Sequence, residues 1–322
     1  MTRVVALGGN ALARRGEPIT AAVQRRNVEL AAEALAPLLD SDEPLVITHG
    51  NGPQVGLLML ESEAHTAVGA YPLDVLGAET EGMIGYMLEQ ALIRRSPHAR
   101  FATLLTQTVV SAVDPAMRKP TKPVGPVYDT VTAHRLAEQR GFSIAPDTGG
   151  WRRVVPSPEP IRILEQDAVR VLLDNGTTVI TAGGGGVPVV IDDQGRPTGI
   201  EGVVDKDLTA VVLALAVGAD SLLLLTDVDG VYRDFSGPRP EKIEHLSART
   251  ARSLIAGGAV GRGSMGPKLE AAARFADRGG TAVIAALDQV AGALAGLSGT
   301  TVAPDGSHSI FDLERYRTAG AR

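Results

Sequence analysis

The chain holds only five lysines, Lys119, Lys122, Lys206, Lys242 and Lys268, and carries the rest of its side-chain positive charge on arginine. An arginine bias of this kind follows from GC-rich coding sequence. The lysines that remain then concentrate where a compact ammonium does what a guanidinium fork cannot. Three of them stand in motifs rich in Gly, Pro or Asp: Pro120-Thr121-Lys122-Pro123, Asp205-Lys206-Asp207 and Gly263-Ser264-Met265-Gly266-Pro267-Lys268. Three glycine clusters accompany them: Gly8-Gly9-Asn10, Gly50-Asn51-Gly52 and Gly183-Gly184-Gly185-Gly186. Glycine lets backbone N–H groups close on an anion, and a helix start just downstream adds its dipole. One such cluster has a sufficient steric explanation in an ordinary strand-to-helix turn. Three at successive strand ends point to a polyanion lying across a sheet edge. Lysines beside such loops suit phosphoryl transfer, which needs positioning and positive charge around the moving group.

The same motifs exclude neighbouring chemistries. Gly261 to Lys268 resembles a Walker loop, but Pro267 separates Gly266 from Lys268, no Ser or Thr follows, and no strand precedes it. Pro267 instead fits the first turn of a helix, with Lys268 at its start. Asp205 and Asp207 suit the cap and first turn of another helix, and a purely structural role would ask for the same residues. The functional reading sets Lys206 against the transferring phosphate, with Asp207 orienting lysines. No Gly-x-Gly-x-x-Gly follows the first strand, which argues against a nicotinamide dehydrogenase. Thr226-Asp227-Val228-Asp229-Gly230-Val231-Tyr232 could shape a nucleotide pocket with Tyr232 beside the base, though an ordinary crossover turn looks alike. His49 has no positioned partner and reads as structural. The histidines show no metal-ligand spacing, so the metal expected is Mg2+ carried in with the nucleotide.

These residues must be held by an alternation of strands and helices. Residues 4–7, 45–48, 101–110, 178–181, 221–225 and 281–285 read as strands, the last of these as the final one. Residues 19–39, 78–94, 165–175, 205–217 and 265–278 read as helices, and a hairpin turns at Asp193-Gln194-Gly195. That rhythm predicts right-handed βαβ units and an open parallel sheet, with the glycine clusters at the strand ends where such sheets bind ligands. It breaks between about residues 114 and 160, where Pro, Gly and Arg are dense. A small inserted subdomain or lid is expected there, because long structureless loops are uncommon inside compact domains.

Composition sets the outer bounds. At 322 residues, 44% hydrophobic and 21% charged, one large domain is expected, and with 3% aromatics its core must rest on aliphatic residues. A net charge of −6 without basic blocks argues against nucleic-acid binding. The absence of Cys removes disulfide and thiolate chemistry. No signal peptide or membrane-spanning run is apparent, so a cytoplasmic protein is expected.

Taken together, the motifs resemble those of the carbamate kinases, within the wider amino-acid-kinase superfamily. The resemblance rests on Gly8-Gly9-Asn10, His49-Gly50-Asn51-Gly52-Pro53-Gln54-Val55-Gly56, Pro120-Thr121-Lys122-Pro123, Trp151-Arg152-Arg153-Val154-Val155-Pro156-Ser157-Pro158, the 183–186 glycines, Val204-Asp205-Lys206-Asp207, the 226–232 run and the 263–268 run. The first glycine motif, Pro120 to Pro123 and Trp151 to Pro158 are the most specific of these. The resemblance implies a three-layer αβα sandwich with an open, mainly parallel sheet and a small protruding subdomain at 114–160. It also implies a homodimer. Residues 302–322 then form a C-terminal extension past the point where such chains tend to finish.

Carried over motif by motif, Gly8, Gly9, Asn10, Gly50, Asn51 and Gly52 would hold carbamate or the moving phosphoryl group. Lys122, Lys206 and Lys268 would neutralise the transition state, with Asp207 organising lysines. Asp205, Thr226, Asp227, Val228, Tyr232, Met265 and Gly266 would line the side of ATP or ADP. The activity implied is reversible transfer between ATP and carbamate, giving carbamoyl phosphate, in the setting of arginine breakdown. Rivals on the same fold take N-acetylglutamate, glutamate or a nucleoside monophosphate. A larger acceptor would need an arginine near the second glycine cluster, and residues 53–56 offer none. An inactive nucleotide-binding sensor would be expected to have lost its lysines.

Overall fold

The computed structural model describes residues 1–13, 16–41, 43–64, 70–233, 235, 239–258 and 265–306. Eight strands form the central sheet, in the order His245–Ser247, Thr300–Ala303, Thr281–Ala286, Ser221–Thr226, Arg3–Leu7, Leu45–His49, Thr177–Ile180 and Arg100–Thr103. The last six of these run parallel. Thr300–Ala303 pairs antiparallel with Thr281–Ala286 and carries His245–Ser247 parallel to itself.

Alternation along the strands explains the layers, because successive side chains leave a strand on opposite faces. Val4, Ala6, Val46, Leu222, Leu224, Ala282 and Ile284 share one apolar cluster with the helices Lys206–Ala216 and Met265–Ala276. Val5, Leu7, Ile47, Leu223, Leu225 and Val283 share another with Ala21–Leu39 and Leu73–Arg95. Both faces are thus covered, which is why these strands read as unbroken apolar runs. The result is the three-layer αβα sandwich with a mainly parallel sheet.

The structure departs from the sequence reading in several places, among them the unread strand His245–Ser247 and helix Ala248–Ala256. Residues 101–110 are two strands, not one: Arg100–Thr103 joins the central sheet, while Gln107–Val109 joins a four-stranded sheet with Pro197–Gly199, Val187–Ile191 and Arg162–Ile163. The apolar run hides the break because Leu104 still bonds Ile180 O (2.9 Å) before the chain turns away. A helix Gly52–Ala64, for which the sequence reading named no element, follows the second glycine cluster. Thr281–Ala286 is not the final strand, since Thr300–Ala303 lies beside it with Val302 fully buried. Residues 307–322 of the extension lie outside the described residues.

Within 114–160, Lys122–Tyr128, Gly150–Val155 and Ser143–Asp147 make a separate antiparallel sheet. A helix, Thr130–Arg140, packs against this sheet; it is capped by Asp129 and ends at Gly141 in the left-handed region. The sheet rests on Gly52–Ala64, where Val55, Met59, Val124 and Val155 share an apolar cluster with Leu73 and Leu76. Arg140 pairs with Glu63 (2.5 Å) and Arg153 with Glu201 (2.7 Å) across the same junction.

Candidate active site

Four adjacent parallel strands end together, and their ends carry Thr226, Gly8, Gly50 and the 181–186 segment. Backbone bonds extend the ladder past the strand ends: Gly8 N donates to Leu225 O (2.9 Å), Gly50 N to Leu7 O (3.0 Å) and Thr181 N to Ile47 O (2.9 Å). The loops are then packed backbone against backbone. A Cβ on Gly50 would lie 2.7 Å from both Cα and N of Gly9, so only glycine fits there. The first cluster continues into the short helix Gly9–Leu12, which contains Asn10; the Asn10 side chain lies outside the described residues.

The third cluster is held from beneath by buried hydroxyls. Thr48 donates to Ala182 O (2.7 Å), and Thr108 and Thr209 donate to Gly185 O (2.7 and 3.1 Å). Gly184 has φ +67°, and a Cβ there would overlap the amide of Asn51, which is itself tied to Thr80 by Nδ2 (2.9 Å). Gly184→Ala is therefore expected to cost about 1–2 kcal/mol from the left-handed backbone alone. It should also displace Asn51. Urea unfolding measured alongside turnover checks both, and a variant unchanged in both would contradict the fit described.

Asp207 is the hub of the charged groups. Lys206 Nζ lies 2.6 Å from Oδ1 and Lys268 Nζ 3.1 Å from Oδ2, with Asp207 and Lys268 each 4% exposed. Both lysines sit in first turns, of Lys206–Ala216 and Met265–Ala276, so their helix dipoles add to their charge. Burial alone would raise the Asp207 carboxyl, but the two ammonium groups hold it below the usual carboxylate range. Burial pushes Lys206 below its ordinary value, against the pull of Asp207 and helped by the Lys268 charge. Asp205 caps the first of these helices by accepting from Asp207 N (3.0 Å), and its other oxygen takes Lys122 Nζ at 2.7 Å. Lys122 thus reaches the main domain from the separate sheet.

The glycine loops, Lys122, Lys206 and Lys268 line one cleft of about 820 Å³. Of the residues expected on the nucleotide side, Asp205 and Thr226 border this cleft, while Asp227, Val228 and Tyr232 line a second cavity of about 610 Å³. Thr226 bonds Asp227 (3.1 Å), so one dipeptide faces both spaces. Tyr232 bonds Asp229 (2.8 Å) and stands edge-to-face with Phe235, giving that cavity an aromatic wall. Met265 and Gly266 line neither space; Met265 packs against the apolar cluster under the sheet.

His49 is 1% exposed, with Nδ1 3.4 Å from Gly50 O, and burial lowers its pKa from 6.5 to about 4. It is a neutral packing residue at ordinary pH. Two side chains escaped the sequence reading. Arg152 lines the cleft from the separate sheet and bonds Asp147 (3.1 Å), so an arginine does reach this cleft from outside residues 53–56. Glu81 lies buried behind the third glycine cluster.

A sheet edge with three packed glycine loops and two helix-borne lysines on one aspartate defines a kinase of small-molecule acceptors. The chain belongs to the amino acid kinase family, whose model matches residues 1–286. Among its relatives are carbamate kinases. That of Haemophilus influenzae is 48% identical over 304 residues, covering 94% of this chain and 96% of that protein. That of Rhizobium meliloti is 45% identical over 318 residues, covering 98% and 97%. The carbamate kinase from Giardia lamblia solved bound to AMP-PNP superimposes with a TM-score of 0.87 at 38% identity, covering 94% of this chain and 98% of that one. The carbamate kinases are the branch of the family in which this chain falls.

Proposed function

We propose that the protein transfers a phosphoryl group reversibly between ATP and carbamate: ATP + carbamate = ADP + carbamoyl phosphate. The observation that carries this reading is the pair Lys206 and Lys268 on Asp207, facing the Gly8 and Gly50 loops across one cleft with Lys122. In the ATP-forming direction, a terminal ADP oxygen forms the new P–O bond. The bond from phosphorus to the carbamate oxygen breaks, and carbamate leaves as an anion. Both oxygens are already anionic, so no general base is needed, in keeping with a neutral, buried His49. Lys206 and Lys268 would hold the moving phosphoryl group, and the N–H groups of Gly9 and Gly52, beyond the Gly8 and Gly50 N–H groups that extend the strand ladder, would orient it with Asn10 and Asn51. Asp205 and Thr226 would meet the nucleotide's phosphate end; Asp227, Val228 and Tyr232 would take its base and ribose. Residues 114–160 would serve as a lid that brings Lys122 to the phosphate.

Mg2+ fits the cleft as a companion of the nucleotide. Among the described residues no three His, Asp or Glu converge on a metal position. The carboxylates that line the cleft are already paired, Asp205 and Asp207 with lysines and Asp147 with Arg152. An ion bound chiefly by phosphate and water needs no more, and when bound it supplies charge neutralisation at the nucleotide. Carbamoyl phosphate is a mixed anhydride, so ATP formation is the favoured direction and arginine catabolism the proposed setting. A cytoplasmic homodimer is the proposed state. Among the described residues no helix is long and apolar enough to cross a membrane. Tyr86 and Ile93, seven residues apart on Leu73–Arg95, present an exposed apolar face for a second copy. Sedimentation of the purified chain reports that state.

The test is ATP formation by purified protein from ADP, Mg2+ and carbamoyl phosphate. Turnover is the expected result. No ATP from that mixture, with turnover on N-acetylglutamate or UMP instead, would transfer the protein to another acceptor.

A further inference from the structure

Thr80 and Glu81 are neighbours in the helix Leu73–Arg95, yet they grip two different glycine loops. Thr80 accepts from Asn51 of the second cluster. Glu81, 1% exposed, accepts from Gly183 N of the third cluster (2.9 Å, Oε1) and from Thr106 N (3.1 Å, Oε2); the Thr106 hydroxyl also donates to Oε1. Thr106 Oγ1 in turn accepts from Ala182 N at 2.8 Å. Glu81 therefore fixes, directly and through Thr106, the two residues that launch the loop. Downstream of that launch the fit is tight. Gly184 abuts Asn51, and a Cβ on Gly185 would lie 2.6 Å from Val204 O, immediately before Asp205 and Lys206. A shift of the loop would reach both the asparagine and the lysine-bearing helix start.

We infer that Glu81 is a positioning residue for phosphoryl transfer, its ionised carboxylate seating the 183–186 loop against Asn51 and the start of the Lys206 helix. This rests on the reading of the cleft as a phosphoryl-transfer site. The carboxylate accepts three hydrogen bonds, and among the described residues no lysine or arginine pairs with it. A proton on Oε1, which already takes two donors, must displace one of them, and a proton on Oε2 turns the strong carboxylate acceptor into a weaker neutral one. Burial raises the Glu81 pKa from 4.5 to about 7, against the Thr106 and Gly183 donors, with the Glu165 charge adding to the rise. Among the described residues, the charged or titratable groups around it are Glu165, ahead of the helix Gln166–Asp174, and His49, whose ring and the Glu81 side chain both border the side of Gly183 where a Cβ would stand. His49 titrates near 4, well below this window. Turnover should consequently fall as pH drops through about 7, while the cavity of Asp227, Val228 and Tyr232, which neither Glu81 nor the 183–186 loop lines, should keep its affinity for the nucleotide.

The experiment is a pH profile of kcat and of KM for ADP, in wild type, Glu81→Gln, Thr106→Val and Thr106→Ser. Glu81→Gln should lower kcat about tenfold at alkaline pH, the equivalent of one lost hydrogen bond. It should also abolish the acid limb and leave KM for ADP unchanged. Thr106→Val removes a donor that favours the charged form, so its acid limb should move to higher pH, and Thr106→Ser should restore it. The infrared band of a buried protonated carboxyl should titrate with the same midpoint in wild type and vanish in Glu81→Gln. An acid limb that persists unchanged in Glu81→Gln and does not move in Thr106→Val overturns the inference. Wild type without turnover at any pH would instead overturn the phosphoryl-transfer reading.

Discussion

Lys268→Ala and Lys206→Ala are each expected to lower kcat by about 10²–10³-fold, the usual cost of removing one pre-aimed stabilising group from a water-poor site. The Lys206 and Lys268 ammonium groups are fixed before substrate arrives, by Asp207 at 2.6 and 3.1 Å, on side chains only 12% and 6% exposed respectively. No reorganisation is then needed as charge redistributes over the phosphoryl oxygens. Because the two lysines share one aspartate, their effects should not multiply: the double variant should lose less than the product of the single losses. Substitution by arginine should not rescue either, since a planar fork cannot take the place of a point charge held in this pocket. Initial rates of ATP formation, with thermal unfolding as a control for folding, check this. A folded Lys268→Ala enzyme with near wild-type kcat would remove that lysine from the mechanism.

Asp207→Asn is expected to be the most destabilising change in the cleft. It leaves two buried ammonium groups without their shared anion, and losing one partner of a buried ion pair costs about 3–5 kcal/mol. For a domain of this size that is a fall in Tm on the order of 10 °C. The sign of the pH dependence follows from the depressed carboxyl. The stabilisation from Asp207 is present above the ordinary aspartate value of 3.8 and is lost only as pH falls below it, so wild type keeps it at neutral pH while the variant lacks it throughout. Sulfate or phosphate should partly restore the variant by supplying the missing negative charge between the lysines. Equal melting temperatures for variant and wild type, with no response to sulfate, would refute the hub role.

Much of this site is legible in the sequence, and the reason is rarity. Lysine is scarce in the chain, so Lys122, Lys206 and Lys268 stand out beside Pro, Asp and Gly. The structure gathers all three at one cleft. Glycine clusters after apolar runs likewise mark the strand ends. Glu81 is illegible by the same standard, because Glu79 two residues earlier has the same chemistry and is exposed. Only the stripe of buried positions Leu73, Leu76, Thr80, Ile84, Met87 and Leu88 could have flagged the pair, as polar residues on an apolar face. Arg152 and Arg153 are adjacent in one strand, so they leave opposite faces, and nothing local says which face meets the cleft. The broken strand at 101–110 fails for a related cause: apolar pattern records burial, and burial continues where the sheet changes.

On the proposed reading, the bare contact between Gly9 and Gly50 would act as a size filter. The floor of the cleft has no side chain to retract there, and its two loops are already in touch. Room for a longer acceptor must therefore come from above, where the 122–155 segment supplies Lys122 and Arg152. Selection among acceptors would then lie in the roof, and an attempt to widen the range should begin with Arg152 and its Asp147 partner rather than with the glycines beneath.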